Sequence, residues 1–278
     1  MSKTRLAALF AVLLVAIASL VAAGCGGGSN SSSSSTTGGG GGEGEATPLT
    51  VGSDIPYPPF EQGKPGHYTG FDMELMEAIG EKIGRTPEFQ DTSFETIFRD
   101  VQQGKFEAVI SAATITEERE KAVDFSNPYY FSEQAVLVTE GSSIKSLEEA
   151  DGKTVGVQQG TTGQELAKEE LGGSEIRPFP EGPDAVNALK AGTVEAVIID
   201  APVAANAVEK VGGLEIAEKV PTEEEYGIAV AQGETELLEE INQGLKEVEE
   251  DGTYKTIYEK WFNLEPPKAI FSATHEAE

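Results

Sequence analysis

The chain has 278 residues, 48 of them Asp or Glu against 20 Lys or Arg, for a formal net charge of −28. Phosphate backbones are held by neutralising basic side chains, so nucleic acid is excluded as a partner, and most of the acidity serves a well-solvated, self-repelling surface. One cysteine and two distant histidines, His67 and His275, leave no disulfide, no zinc cluster and no Cys/His dyad, so neither a metal nor a cofactor is expected.

In chain order, Lys3 and Arg5 precede an apolar run from Leu6 to Val21 and then Ala22-Ala23-Gly24-Cys25. A basic start, a short apolar core and small residues form a secretory signal over residues 1–24. The run is nearly long enough to cross a bilayer, but a lone cysteine directly after small residues favours a lipoprotein signal, cleaved before Cys25 and lipidated on its thiol. Ala22 stands where such signals usually carry Leu, which bears on processing rather than on export. Residues 26–47 are almost entirely Gly, Ser and Thr with two glutamates. They cannot bury apolar surface, so 25–48 is expected to be a disordered tether. About 220 residues follow, enough for one large domain or two modest lobes, and no other stretch spans a membrane.

The folded part opens with a strand, Leu49 to Ser53, which ends in the proline-rich loop Asp54 to Phe60 carrying an acid and two aromatics. Gly70 to Ile79 has helical spacing, stopped by Gly80 and Gly84, with Asp72 as a cap. Thr96 to Gln103 is a second helix, ended by Gly104. Ala108 to Ser111 is a short apolar run, the mark of a buried strand. Thr116 followed by Glu117 and Glu118 is a helix start with a hydroxyl cap. Arg119, one turn in, can lean back over the hydroxylated residues Ser111 to Thr114. An isolated Arg is most often paired with a surface acid. Beside hydroxyls and free helix amides, however, a guanidinium suits a carboxylate, to which it offers two parallel charge-assisted hydrogen bonds.

An internal repeat follows. Val101 to Ile110 is echoed 88 residues later by Leu189 to Ile198, each copy a helix, a glycine stop, a turn and a buried strand containing Glu-Ala-Val-Ile. Ser111 and Ala112 end the first of these strands, and Ile199 and Asp200 the second. Equivalent strand ends in two α/β lobes imply a cleft between them. Between the copies, Ala135 to Thr139 and Thr154 to Val157 are strands and Ser146 to Ala150 a short helix. Gln158 to Gly163 is a glycine loop before a helix from Gln164 to Leu171. No Gly-Lys-Ser/Thr follows, which argues against a nucleotide. After a loop, Pro221 to Glu225, come a strand (Tyr226 to Val230), an amphipathic helix (Glu234 to Glu249) and a last helix (Tyr254 to Phe262) whose Tyr258, Trp261 and Phe262 form core. Residues 266–278 are a polar, disordered tail.

The motifs Gly104-Lys105-Phe106-Glu107-Ala108, Thr114-Ile115-Thr116-Glu117-Glu118-Arg119 and Asp124-Phe125-Ser126-Asn127-Pro128-Tyr129 carry a resemblance. From Leu49 to Leu264 the chain resembles the bacterial extracellular solute-binding proteins of family 3, the polar amino-acid branch that feeds ABC importers. The resemblance implies an α/β fold of the two-lobe, type II periplasmic-binding-protein class, with a two-strand hinge. Lobe 1 would comprise 49–133 plus 224–265, and lobe 2 would comprise 134–223. It implies a non-enzymatic, monomeric receptor for a free, polar or cationic L-amino acid, delivering to an ABC permease and held outside the cell by the lipid on Cys25. In that family's terms, Arg119 grips the ligand α-carboxylate with help from Thr114 and Thr162, and Asp200 pairs with the α-ammonium. Tyr57 and Phe94 sandwich the ligand side chain, and Ser111 contacts it nearby. Asp54 stands where cation-binding members place an acid, although binders of neutral amides carry it too. Ala112, where relatives often have Ser or Gly, and Gly163, where some are polar, remove side-chain contacts. Two other classes stand beside this one. A dehydratase on the same fold would need a general acid, and no histidine falls at the matched positions. A sensory module is normally fused to a transmembrane or kinase segment, which this sequence does not show.

Overall fold

The computed structural model describes residues 46–267. The export signal, Cys25, nearly all of the tether, His275 and the tail after Pro267 lie outside the described residues.

The elements are β1 (Thr47–Ser53), β2 (Gln62–Lys64), β3 (His67–Thr69), α1 (Phe71–Ile83), β4 (Arg85–Asp91), α2 (Ile97–Gln102), β5 (Ala108–Val109), α3 (Glu117–Glu120), β6 (Val123–Phe125), β7 (Tyr130–Thr139), a 3-10 turn (Glu148–Ala150), β8 (Thr154–Gln158), α4 (Thr162–Glu170), β9 (Glu175–Phe179), α5 (Gly182–Lys190), β10 (Ala196–Asp200), α6 (Ala201–Val211), β11 (Leu214–Tyr226), β12 (Ala229–Ala231), α7 (Thr235–Glu250) and α8 (Thr253–Phe262). They build two five-stranded sheets, in the orders β4-β1-β5-β12-β6 and β11-β7-β10-β8-β9. Each sheet with its helices is one lobe of a type II periplasmic-binding fold.

The repeat accounts for the likeness of the two sheets. Its strands, β5 and β10, take the middle of each sheet, parallel to β1 or β8 on one side and antiparallel to β12 or β7 on the other. The glycine stops both turn through the left-handed region that glycine enters without steric strain, Gly104 at φ 73° and Gly192 at φ 71°. The repeated glutamates do the same job. The amides of Glu107 and Glu195 donate to the carbonyls of Thr50 and Thr154, and their carboxylates accept from the amides of those same threonines. Each glutamate thus pins a middle strand to its parallel neighbour.

The chain passes from one sheet to the other just before β7 and just before β12. Beside these crossings β7 and β11 pair antiparallel, Tyr130 opposite Tyr226 and Ser132 opposite Glu224. The rings of Tyr130 and Tyr226 stack at 5.5 Å. Phe60 meets both of them edge-on at 5.1 and 5.4 Å. Such pairs contribute about 0.5–1.5 kcal/mol each beyond their buried area, so the crossing is a packed aromatic joint. Helices α7 and α8, reached after the second crossing, return to cover α1.

Several expectations are corrected. Thr47 and Pro48, assigned to the tether, already pair with Arg85 and Thr86 in β1. Gly80 does not stop α1; it lies inside the helix, where a Cβ would come 2.6 Å from the Arg85 carbonyl and so only glycine fits, and the stop is Gly84 at φ 70°. Asp72 caps nothing and is fully buried. Pro221 to Glu225 is not a loop but the end of β11, irregular between Val220 and Glu224. The strand expected over Tyr226 to Val230 is broken, since Tyr226 closes β11 and β12 spans only Ala229–Ala231.

Candidate ligand-binding site

A cavity that holds the expected site residues lies between the sheets. The first lobe lines it with Asp54, Tyr57, Glu61, Phe94, Ser111, Ala112, Thr114 and Arg119, the second with Gln158, Thr161, Thr162 and Asp200. All eight residues expected at a ligand site (Asp54, Tyr57, Phe94, Ser111, Thr114, Arg119, Thr162 and Asp200) therefore face the same space. Glu61, Gln158 and Thr161 join them without having been singled out. The cavity encloses only ≈ 10 Å³, about the volume one water needs.

Arg119 is placed by the short helix α3. The Thr116 hydroxyl accepts from the Arg119 amide, which turns the side chain back across the end of β5. Its Nη1 donates to the Thr114 carbonyl at 2.6 Å, and its Nη2 crosses to the Gly160 carbonyl of the other lobe at 3.2 Å. The guanidinium lies over the rings of Phe94 and Phe98 at 5.2 and 4.8 Å. Burial pulls its pKa below the ordinary value, while Glu165, Glu224 and Asp200 pull the other way. Facing it is the start of α4, capped by Thr161, whose hydroxyl accepts from the Gln164 amide. The first amides of a helix have no partner within it, so guanidinium and helix start together form a place for a carboxylate.

Asp200 ends β10 on the opposite lobe. Its carboxylate accepts from Tyr57 Oη at 2.9 Å, Tyr226 Oη at 2.7 Å and Gln134 Nε2 at 2.5 Å. Burial, reinforced by Glu224, pushes its pKa up to about 7 against the pull of those donors. Asp54 follows β1 and accepts from Gln158 Nε2 of the other lobe at 2.5 Å, while its amide donates to Ser111 Oγ at 2.9 Å. Burial lifts its pKa to about 7 as well. No histidine lines the cavity, yet these two carboxyls titrate where proton donors work.

Two further acids complete this side of the cavity, Asp72 behind the wall and Glu61 within it. Asp72, from the first turn of α1, accepts from the Ala112 amide at 2.7 Å and Tyr129 Oη at 2.8 Å. It thereby anchors Ala112 at φ 44°, a left-handed conformation rarely taken by a residue with a side chain. Glu61 accepts from Ser111 Oγ at 3.0 Å through Oε1. Near the crossing, Glu224 accepts from Thr114 Oγ1 at 2.9 Å and Gln134 Nε2 at 2.9 Å, and the same Gln134 nitrogen reaches Thr162 Oγ1 at 3.3 Å. Gln134 and Glu224 thus join residues of both lobes through the hinge strands. Gly163 makes room for this, since a Cβ there would stand 2.8 Å from Gln134 Oε1. Sequence patterns gave no sign of Glu61, Gln134 or Glu224, because the contacts that bring them to the site, with Ser111, Thr162 and Thr114 in turn, are made to residues 28 or more positions away.

Among the described residues, hydrogen bonds from Tyr57 to Asp200, from Gln158 to Asp54 and from Arg119 to the Gly160 carbonyl join the cavity walls of the two lobes. The lining has one cation, Arg119, and three carboxyls, Asp54, Glu61 and Asp200. The guanidinium and the helix start suit an anionic group, and the carboxyls suit one or two cationic groups. A small zwitterion meets both demands.

The sequence pattern defining the bacterial extracellular solute-binding proteins, family 3, matches residues 49–264. The chain is 31% identical over 224 residues to the L-cystine-binding protein TcyJ of Escherichia coli strain K12, covering 79% of this chain and 84% of that one. Among solved structures it resembles an ancestral arginine-binding protein, seen bound to arginine and also to glutamine. Each comparison gives 43% identity and a TM-score of 0.75; the arginine-bound form covers 79% of this chain and all of its own. It also resembles the ancestral amino acid-binding protein AncCDT-1, a precursor of cyclohexadienyl dehydratase, at 40% identity and TM-score 0.73, covering 77% of this chain and 95% of that one.

Proposed function

The chain belongs to the bacterial extracellular solute-binding proteins of family 3, and on that premise we propose that it captures a free L-amino acid with a polar or cationic side chain for an ABC importer. The observation that carries this is Arg119 on one lobe and Asp200 on the other, lining one cavity with α4 pointing its start into it. A zwitterion is heavily hydrated, so burying it requires a fixed partner for each charge. Arg119, with the Thr114 and Thr162 positions beside it, takes the α-carboxylate. Asp200 takes the α-ammonium, Tyr57 and Phe94 flank the side chain, Ser111 touches it, and Asp54 meets its far end. Lobe 1 consists of 49–133 plus 224–265 and lobe 2 of 134–223, so the lobes part and close about the paired strands of the crossing. The excess of carboxyls over cations in the lining supports a cationic side chain. Transfer of the ligand to a permease, action as a monomer and attachment to the membrane through a lipid on Cys25 complete the proposal.

A thermal-shift screen against the standard amino acids tests it. A ligand at a hundred times its Kd stabilises the folded state by about 2.7 kcal/mol, a rise of several degrees in a chain of this size. Arginine, lysine, histidine or glutamine should give that rise, and Arg119→Ala should remove it. A flat response to every amino acid would overturn the proposal. The carboxyls near pH 7 and the similarity to AncCDT-1 also support a second reading, a dehydratase acting on a small cyclic acid; turnover of such an acid would favour it.

A further inference from the structure

Glu61 occupies an unusual position. The loop Asp54 to Phe60 folds back so that Tyr57 and Glu61 bridge, which drives the Glu61 side chain into the cavity wall with no exposure to solvent. Oε1 takes the Ser111 hydroxyl, but Oε2 is buried with no protein partner. Asp72 from α1, Asp54 from the end of β1 and Asp200 from the end of β10 all bear on it with like charge, and the Tyr129 hydroxyl lies close by. The only cation lining the cavity, Arg119, is engaged with the Thr114 and Gly160 carbonyls. An ionised carboxylate buried among acids without a counter-charge is strongly disfavoured, and a proton removes the penalty. Burial, then Asp72, then Asp54 push the Glu61 carboxyl well above the usual range.

Resting on the amino-acid reading above, we propose that Glu61 is a proton-exchanging determinant of specificity. It gives up its proton when a guanidinium or ammonium enters beside Asp54 and keeps it when a neutral side-chain amide does. In the first case the O–H bond of Glu61 breaks, the electron pair stays on the carboxylate and the proton passes to solvent. The new anion then faces the ligand cation through the oxygen that had no partner. In the second case the protonated acid donates to the amide carbonyl. A single cleft therefore admits both classes, and the cationic class is the more strongly coupled to pH. Because the side-chain cation releases a further proton from Glu61, arginine affinity rises more steeply with pH than that of the neutral amide, whose α-ammonium acts on Asp200 alone.

Calorimetric titration of L-arginine and L-glutamine at about pH 7, in two buffers of different ionisation enthalpy, counts the protons. The wild-type protein is expected to release more protons with arginine than with glutamine, Glu61 adding up to one, because the α-ammonium of either ligand acts alike on Asp200. Glu61→Gln keeps an acceptor for Ser111 and cannot ionise. It should weaken arginine by at least about tenfold, the scale of a lost charged hydrogen bond, and leave glutamine within about threefold. Equal proton counts for the two ligands in the wild-type protein would overturn the inference without need of any variant. An unchanged arginine-to-glutamine ratio in folded Glu61→Gln would overturn it too, with arginine binding by the wild type leaving the amino-acid reading intact. Wild-type protein that binds neither compound would end both.

Discussion

A buried carboxylate is tolerated more easily when it finds donors, and Asp72 Oδ2 has two, the Ala112 amide and the Tyr129 hydroxyl, while Oδ1 is buried without a partner among the described residues. Through the first of these it holds Ala112 in a strained backbone conformation at the cavity wall, seven residues before Arg119. Asp72→Ala would leave both donors buried and unpartnered, at about 1–3 kcal/mol for each group. Denaturant unfolding should show a loss of about 2–6 kcal/mol, and a loss under about 1 kcal/mol would mean that Asp72 does not hold this wall. In the sequence Asp72 looks like a cap, because an acid in the first turn of a helix ordinarily acts locally. Its partner lies 40 residues on, and no periodicity carries that information. Arg119, by contrast, was legible because what aims it is local: a Thr116 cap and a run of small hydroxylated residues.

At the scale of elements, the internal repeat was the most informative signal. Two matching glycine stops followed by Glu-Ala-Val-Ile located the middle strand of each sheet, and hence the strand ends that face the cleft. What escaped notice were outer strands, and the two-strand hinge was expected only through the family resemblance. β4 and β9 are edge strands, half exposed and each containing a proline, so they lack the apolar run that marks a buried strand. β11 mixes Glu and Lys along a partly solvent-facing edge, and its irregularity at Pro221 mimics a loop. The first turn of α5 bears directly on closure. A Cβ on Gly182 would come 2.7 Å from the ring of Tyr57, which its hydroxyl holds on Asp200 across the cleft. Gly182→Ala should therefore prop the lobes apart. Overpacking of this kind costs about 1–3 kcal/mol, so ligand affinity should fall by about tenfold or more while the thermal midpoint of the ligand-free protein changes little. Unchanged affinity by calorimetry would show that Tyr57 and α5 need not meet for binding.

For the whole molecule, the decisive quantity is the space between the lobes. At ≈ 10 Å³ the cavity is far smaller than an amino acid, so a ligand enters only when the lobes separate, breaking the bonds Tyr57–Asp200, Gln158–Asp54 and Arg119–Gly160. On the reading proposed above, closure is favoured when the ligand replaces those bonds with better ones, and opposite charges on the two lobes select a molecule carrying both signs. The most direct test compares L-arginine with agmatine, which is arginine without its carboxylate, by calorimetry on the wild-type protein. Losing the group that faces Arg119 leaves a guanidinium desolvated and unpaired, a penalty of about 3–5 kcal/mol. Agmatine should accordingly bind at least about a hundredfold more weakly than arginine, and agmatine binding within about threefold of arginine would contradict the capture of a zwitterion between Arg119 and Asp200.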